Sequence, residues 1–547
     1  MPTSPLPPTG PEVGLVELWS LRHDTLLELP DETTGTPSAG ISPDEAALLS
    51  TRWGETRLPI TDPVVLLALE RLSYGPVSLD NVVAGISAPD GPKSPERDVL
   101  ASLLRSMENV LVRSLATKDG KTLLSVVPIS RYARFRPAAT PADAVLRLSR
   151  FAALRTHEDG LCIESPLSGQ RVVLHQPRSG WLVSCFARPF TPQEAAGRLR
   201  MPVDTVRRAV SYLEASGMVV RGTPPAAGAE ETGTKEQYAF AEDHDPALLP
   251  WSPHDLMLHA RSRQGRHDDP VGATDGFTDM LAAEPVVARA HPGPERVPLP
   301  VPELDRVLDR DPPFTVALEA RRSVRDHGER PLDLAQVGEL LYRSARVRSM
   351  GAFRPDDGEP VLTSRPYPSI GGAYALELYL TVSNCAGLAR GTYHYDPVEH
   401  ALTRVDMAAE SLDELLAEAR STAGLTAEPH VLITMTARFR RMTLKYSGLA
   451  YSGLLKDVGV LQQTLYLVCT AMGLGPCALA IGDSDLSAHA LGLDWRTESA
   501  VGEFVVSTLP SEPGAGGPLT ADVEVHGHDW HVRCAEELRR ALAHTAE

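Results

Sequence analysis

Apolar residues recur at helical spacing in "ITDPVVLLALERLSYG" (60–75) and again in "RDVLASLLRSMENVLV" (97–112), and each run predicts an amphipathic helix. "VRSLATKDGKTLLSVV" (112–127) then changes to alternation around "KDGK", the mark of a β-hairpin. A second round begins at "AVLRLSRFAALRTHEDGLCIE" (144–164), as the first begins at "LVELWSLRHDTLLEL" (15–29). It continues into "FTPQEAAGRLRMPVDTVRRAVSYLEASGMVVRG" (190–222). There Thr191 and Pro192 open a helix, Asp204 is the expected cap of a second, and Gly217 ends it before a strand at Met218–Arg221. Helix, turn, helix and a two-stranded wing is the winged-helix pattern, and it occurs twice.

Later runs are richer in strand signals. "WSPHDLMLHARSRQGR" reads as a helix capped by Ser252, and 265–312 is loop-rich. From Pro313 to about Pro510 helices alternate with the β-rich runs "ALELYLTVS", "GTYHYD", "HVLITMTA" and "GEFVVSTL". The tail holds a Gly/Pro linker, a strand candidate "ADVEVHG" and a charged helix "RCAEELRRALAHT". The expected organisation is α+β, in five stretches. Two winged-helix-like domains (1–143 and 144–250) precede a helix and linker (251–312), a large domain (313–510) and a C-terminal extension (511–547).

Composition narrows the function classes. With 547 residues, 42% of them hydrophobic and 23% charged, the chain is globular and long enough for several cores. A formal net charge of -18 disfavours sequence-independent nucleic-acid binding, which rests on neutralising many phosphates. "VDTVRRAVSYLEASG" carries only Arg207 and Arg208 where a base-reading helix needs a polar stripe. An extended peptide added to a sheet edge is the better use of such a module. The longest apolar runs are too short for a bilayer, no secretory signal opens the chain, and the six cysteines have no zinc spacing. A cytoplasmic protein without a metal is expected. The cluster His526, His528 and His531 reads as a solvated turn.

Against that acidic background "RRSVR" (321–325) stands out. Arginines beside a helix commonly form a solvated face. Yet guanidinium groups keep their charge and match phosphate oxygens bidentately, and Ser323 adds a hydroxyl donor. The group suits one terminal phosphate monoester, and neither a Walker A sequence nor a Rossmann fingerprint lies nearby. Further on, "RPYPSIGGAYALELYL" (365–380) reads as a Pro/Ser/Gly turn entering a helix. "RMTLKYSGLAYSGLLKDVGVLQQTLYLVCTAMGLGPCALAIGD" (441–483) reads as a lysine–tyrosine pair, a long apolar helix and an apolar Gly-containing loop.

In this order the four stretches resemble the flavin-dependent nitroreductase superfamily, and within it the SagB-type dehydrogenases that oxidise azolines in peptide biosynthesis. The resemblance implies a dimeric FMN-binding α+β domain over 313–510 with the flavin at the dimer interface. By motif, Arg321, Arg322, Ser323 and Arg325 would hold the FMN phosphate and ribityl chain. Pro368, Ser369 and Ile370 would reach the flavin from the other subunit, and Leu479, Ala480, Ile481 and Gly482 would pass beside its ring. The catalytic pair would be Lys445 and Tyr446. Val460 and Thr464 depart from the family's usual histidine and asparagine, and "STLPSEP" lacks a basic residue common near the phosphate.

Aromatising a thiazoline or oxazoline removes a hydride and a proton from adjacent ring carbons. The flavin is implied for the hydride and a protein base is required for the proton. The implied substrate is an azoline-bearing precursor peptide, supplied by a cyclodehydratase partner. Two alternatives remain open at this point: an NAD(P)H-dependent small-molecule oxidoreductase, and a flavin-free scaffold that binds leader peptide.

Overall fold

A computed structural model describes residues 14–29, 47–60, 62–82, 95–224, 237–282, 284–287, 293, 295–351, 362–510 and 529–544. The chain divides into two compact units, Met1–Asp269 and Pro270–Glu547. Among the described residues no helix is long and apolar enough to cross a membrane.

The first unit is built on a six-stranded antiparallel sheet. Its order is Leu15–Leu21, Leu111–Thr117, Thr122–Pro128, Gln170–Leu174, Gly160–Glu164, Ala153–His157. The "KDGK" hairpin forms as expected, with Gly120 at φ 83° supplying the left-handed residue of the turn. The strands come from both stretches assigned above to separate winged-helix-like domains, so the two rounds share a sheet. Leu124, Val126, Ile163 and Val172 of that sheet pack with Val206, Ala209, Val210 and Leu213 in one core. The opening "LVELWSLRHDTLLEL" is strand, and the helix expected over 97–112 is Pro95–Ser106, because Leu111 already begins the hairpin.

Thr191 caps Pro192–Leu199 through a reciprocal capping box with Glu194. The next helix, Val203–Ala215, differs from expectation. Pro202 occupies its cap position and Asp204 caps nothing, since it lies inside the first turn beside Arg207 Nη1 at 3.1 Å. Gly217 follows at φ 73°, and the strand Val219–Thr223 pairs with Leu146–Leu148 and Ala239–Phe240. Ser252 does cap the helix Pro253–Arg261.

The second unit carries a seven-stranded antiparallel sheet. Its order is Arg296–Pro298, Ala401–Val405, Gly391–Asp396, Leu376–Val382, Val431–Arg438, Glu498–Thr508, Leu474–Leu479. Every residue of Leu376–Val382 and Val431–Arg438 is buried, including the polar Glu377, Thr381, Thr434, Thr436 and Arg438. Alternate residues serve opposite faces. Ile433 and Phe504 meet the long helix Ala450–Ala471 and the helix Leu334–Ala345, through Leu454, Leu461, Leu465, Val337 and Leu341. Leu432, Cys477 and Val505 meet Leu412, Leu415 and Leu416 of the helix Ala409–Ala423.

The turn "YPSIGG" leads into the strand Leu376–Val382 and not, as expected, into a helix; only a single 3-10 turn, Ile370–Gly372, intervenes. Left-handed backbone at Gly371, Gly372 and Tyr374 (φ 57°, 66° and 43°) stops helix propagation there. The charged tail helix runs from Trp530 to His544. The strand candidate "ADVEVHG", His526 and His528 lie outside the described residues.

Candidate active site

The helix Phe314–Ala320 ends at Arg321, and the chain continues extended through the arginine cluster. Val324 points inward, and its N–H donates to Pro476 O at 2.8 Å, so the segment is tied to the strand Leu474–Leu479. Ser323 Oγ lies 2.7 Å from Tyr466 Oη, which also accepts the Ala478 N–H at 2.8 Å. The Arg321 guanidinium stands 5.1 Å from the centroid of the same ring. Arg325 donates to Ala423 O at 3.0 Å, and Arg322 is exposed. None of the three arginines has a carboxylate partner among the described residues. Tyr466 is the hub of this cluster, and the signal was available: a tyrosine in an apolar helix needs a partner for its hydroxyl.

Beyond Ala478 the chain bends through Leu479, Ala480, Ile481 and Gly482. Leu479 is buried in the sheet, whereas Ala480 and Ile481 are exposed. Gly482 crosses directly over the Glu503 carboxylate, leaving no room for a Cβ. Glu503 is 6% exposed, and burial with nearby Glu418 raises its carboxyl pKa to about 7. The arginine cluster and the 479–482 loop are therefore joined through Tyr466 and Ala478.

The second cluster gathers around Lys445 and Tyr446, which follow the short helix Arg440–Thr443 and are half-buried. Lys445 Nζ is 5.4 Å from the Tyr446 ring centroid. Both side chains reach the turn of Pro368, Ser369 and Ile370. A Cβ at Gly371 would overlap Tyr446 Oη outright and lie 3.4 Å from Lys445 Nζ. Ser369 Oγ donates to Asp457 Oδ2 at 2.6 Å, Ile370 N–H donates to Asp457 Oδ1 at 3.1 Å, and Tyr374 N–H donates to Ser369 Oγ at 3.0 Å. Arg441 holds the far end of the turn through two donors to Ala373 O, at 3.1 and 2.8 Å. Burial draws the Arg441 pKa down to about 10. Asp457 and Tyr466 share the helix Ala450–Ala471, so the two clusters are strung along it roughly 13 Å apart in axial rise.

The linker expected to be plain loop is part of this site. Gly272–Ala273 pairs with Tyr446–Ser447, and the N–H groups of Thr274 and Asp275 donate to Lys445 O at 2.9 and 3.2 Å. Thr274 Oγ1 is 2.7 Å from Ser447 Oγ. Farther along, Arg440 donates to Ala282 O, Arg441 to Glu284 O at 3.1 Å and Arg438 to Pro285 O at 2.9 Å. A strap of linker thus runs beside the whole segment 438–447. Short turns without apolar periodicity leave no such signal in sequence. Among the described residues the metal-capable grouping is His157, Glu158 and Asp159, a local turn with two of its three side chains exposed.

Residues 146–268 match the family model of the cyanobactin oxidase ThcOx, and residues 318–505 match the nitroreductase family. A putative nitroreductase of Methanocaldococcus jannaschii is 29% identical over 175 residues, 32% of this chain and 79% of that protein. The microcin B17-processing protein McbC of Escherichia coli is 28% identical over 171 residues, 30% of this chain and 61% of that protein. Among solved structures, the E. coli microcin synthetase McbBCD complex with truncated pro-MccB17 bound matches at 21% identity. It covers 45% of this chain and 85% of that chain, with a TM-score of 0.30. A segment similar to the cyanobactin oxidase thus precedes one similar to the nitroreductase family, the resemblance that the motifs indicated.

Proposed function

We propose that this protein is an FMN-dependent dehydrogenase that oxidises thiazolines or oxazolines to thiazoles or oxazoles in a ribosomally made precursor peptide. The observation that carries the reading is the Lys445–Tyr446 pair packed against a left-handed glycine turn. An amine, a phenol and backbone with no Cβ in the way stand there together. The McbC relative, named for processing a peptide, supports a peptide substrate.

The residues present fit FMN. Arg321, Arg322 and Arg325 have no carboxylate partner among the described residues, and Ser323 stands with them, so fixed positive charge is available to a phosphate monoester. These four would hold the phosphate and ribityl chain, and Leu479, Ala480, Ile481 and Gly482 would line the ring. Within one chain Pro368, Ser369 and Ile370 stand with the Lys445–Tyr446 cluster, which agrees with a homodimer whose flavin is contacted from both subunits. FMN, when bound, supplies the hydride acceptor that no side chain provides. Lys445 or Tyr446 takes the ring proton, and the turn orients the heterocycle beside them.

The ring must be made by dehydrative cyclisation before it can be oxidised, so a cyclodehydratase is the natural partner. The first unit, built on its shared six-stranded sheet, docks the peptide. Purified protein incubated with a cyclised peptide, without NAD(P)H, is expected to lower the peptide mass by a hydrogen pair per azoline. An unchanged mass with a flavin-loaded enzyme refutes the reading.

A further inference from the structure

Asp457 belongs to no motif, yet its surroundings single it out. It is 3% exposed on a helix whose neighbouring residues Leu454, Val458 and Leu461 are core. A buried carboxylate with no cation beside it is unfavourable, and an apolar side chain of similar volume would pack there more stably. Its two hydrogen bonds come from Ser369 O–H and Ile370 N–H. Burial raises its pKa, while those two donors pull it back down.

What the carboxylate holds is left-handed backbone. Gly371, Gly372 and Tyr374 are all left-handed within four residues; the two glycines adopt this conformation freely, whereas Tyr374 carries a Cβ and is held there only by its surroundings. Ser369 is engaged in both directions, donating to Asp457 and accepting from Tyr374 N–H. Ile370 Cδ1 lies within van der Waals reach of where a Cβ on Gly453 would stand, one turn from Asp457. The next residue, Gly371, is the wall against which Tyr446 Oη and Lys445 Nζ rest.

We propose that Asp457 is a positioning residue of the active site: through Ser369 and Ile370 it fixes the Gly371 turn, and the turn fixes the Lys445–Tyr446 pair. The inference rests on the proposed function for the pair and adds a residue that acts on it from the helix behind.

Asp457→Asn keeps the shape and removes half of the accepting capacity. It should retain fold and flavin, lower kcat by about 10²-fold and change KM for an azoline peptide by no more than about threefold, the pattern of a misplaced reacting group. In a Lys445→Ala, Tyr446→Phe double background the same change should cost less than about threefold, because coupled residues are non-additive. Equal losses in both backgrounds, or wild-type kcat in Asp457→Asn, overturn the proposal. Should Asp457→Asn fail to fold, Ser369→Ala removes one link of the chain and must show the same split between kcat and KM. A second readout does not need turnover. The phenol titration of Tyr446, taken as the ultraviolet difference from the matching Tyr446→Phe protein, should shift in Asp457→Asn. If it does not shift, Asp457 does not position the pair. If Lys445→Ala and Tyr446→Phe both leave turnover intact while that titration still shifts, the proposed function fails and the positioning stands.

Discussion

Replacing Gly371 with alanine adds one methyl group at the most constrained point of the site. Its φ of 57° is left-handed, which costs a residue with a Cβ roughly 1–2 kcal/mol. The methyl would also overlap Tyr446 Oη, so the phenol must retreat by roughly 1–2 Å to restore ordinary contact. The strain alone should lower the melting temperature of the second unit by roughly 2–8 °C. The displacement should reduce azoline turnover by about 10²-fold, the usual cost of misplacing a reacting group by an ångström. Tyr446→Phe offers an internal control. Without the hydroxyl the nearest ring atom to the new methyl is Cζ, at 2.9 Å, a far smaller conflict. Gly371→Ala should then cost little beyond the backbone strain. Thermal unfolding, flavin absorbance and peptide mass give the three readouts. An alanine variant as stable and as active as its parent, or one that loses turnover equally in both backgrounds, would refute the packing argument.

Arg321→Ala with Arg325→Ala should weaken FMN binding by roughly 10²–10⁴-fold, from about 1.5–3 kcal/mol per charge-assisted bond; a double variant that purifies fully yellow contradicts this. Lys445→Ala should keep flavin and fold and lose about 10²–10⁴-fold in turnover if the amine is the base, with Tyr446→Phe losing less. Rapid bleaching of the flavin by substrate in anaerobic Lys445→Ala would show that the proton leaves by another route. Glu503 has its folded pKa, about 7, above its ordinary 4.5, so its contribution to stability is complete below about pH 4.5 and lost as pH rises through 7. That loss is about 3 kcal/mol, and Glu503→Gln should therefore gain on wild type between pH 5 and 8; parallel melting curves across that range would exclude it.

The sheet of the second unit was legible because Leu376–Val382 and Val431–Arg438 are buried on both faces and carry strand-forming apolar runs. The arginine cluster and the Lys445–Tyr446 pair were legible as residue types out of keeping with their surroundings. The turn before Leu376 was misread as a helix entry, since "GGAYALEL" has good helix formers. Left-handed backbone at Gly371, Gly372 and Tyr374 stops a helix there instead. The Asp204 cap was misplaced by two positions because Pro202, which has no N–H to lose, already occupied the cap site. Tyr466, Asp457 and Gly371 act through partners far away in sequence. Glu503 carries no signal beyond that of a polar residue in a strand, because the Gly482 backbone that lies across it comes from the neighbouring loop.

The strap bears on how such a protein could be recombined. The stretch 269–317 falls between the two family matches and would pass for exchangeable connector. Residues Gly272–Asp275 are nevertheless laced to Lys445–Ser447 through backbone pairing. A chimaera spliced at the edge of the nitroreductase match would arrive with its Lys445–Ser447 segment unsupported, however faithfully each module folded. The junction that travels intact lies ahead of Gly272. Insertions between Asp275 and Ala282 are tolerable only if both anchored ends keep their register.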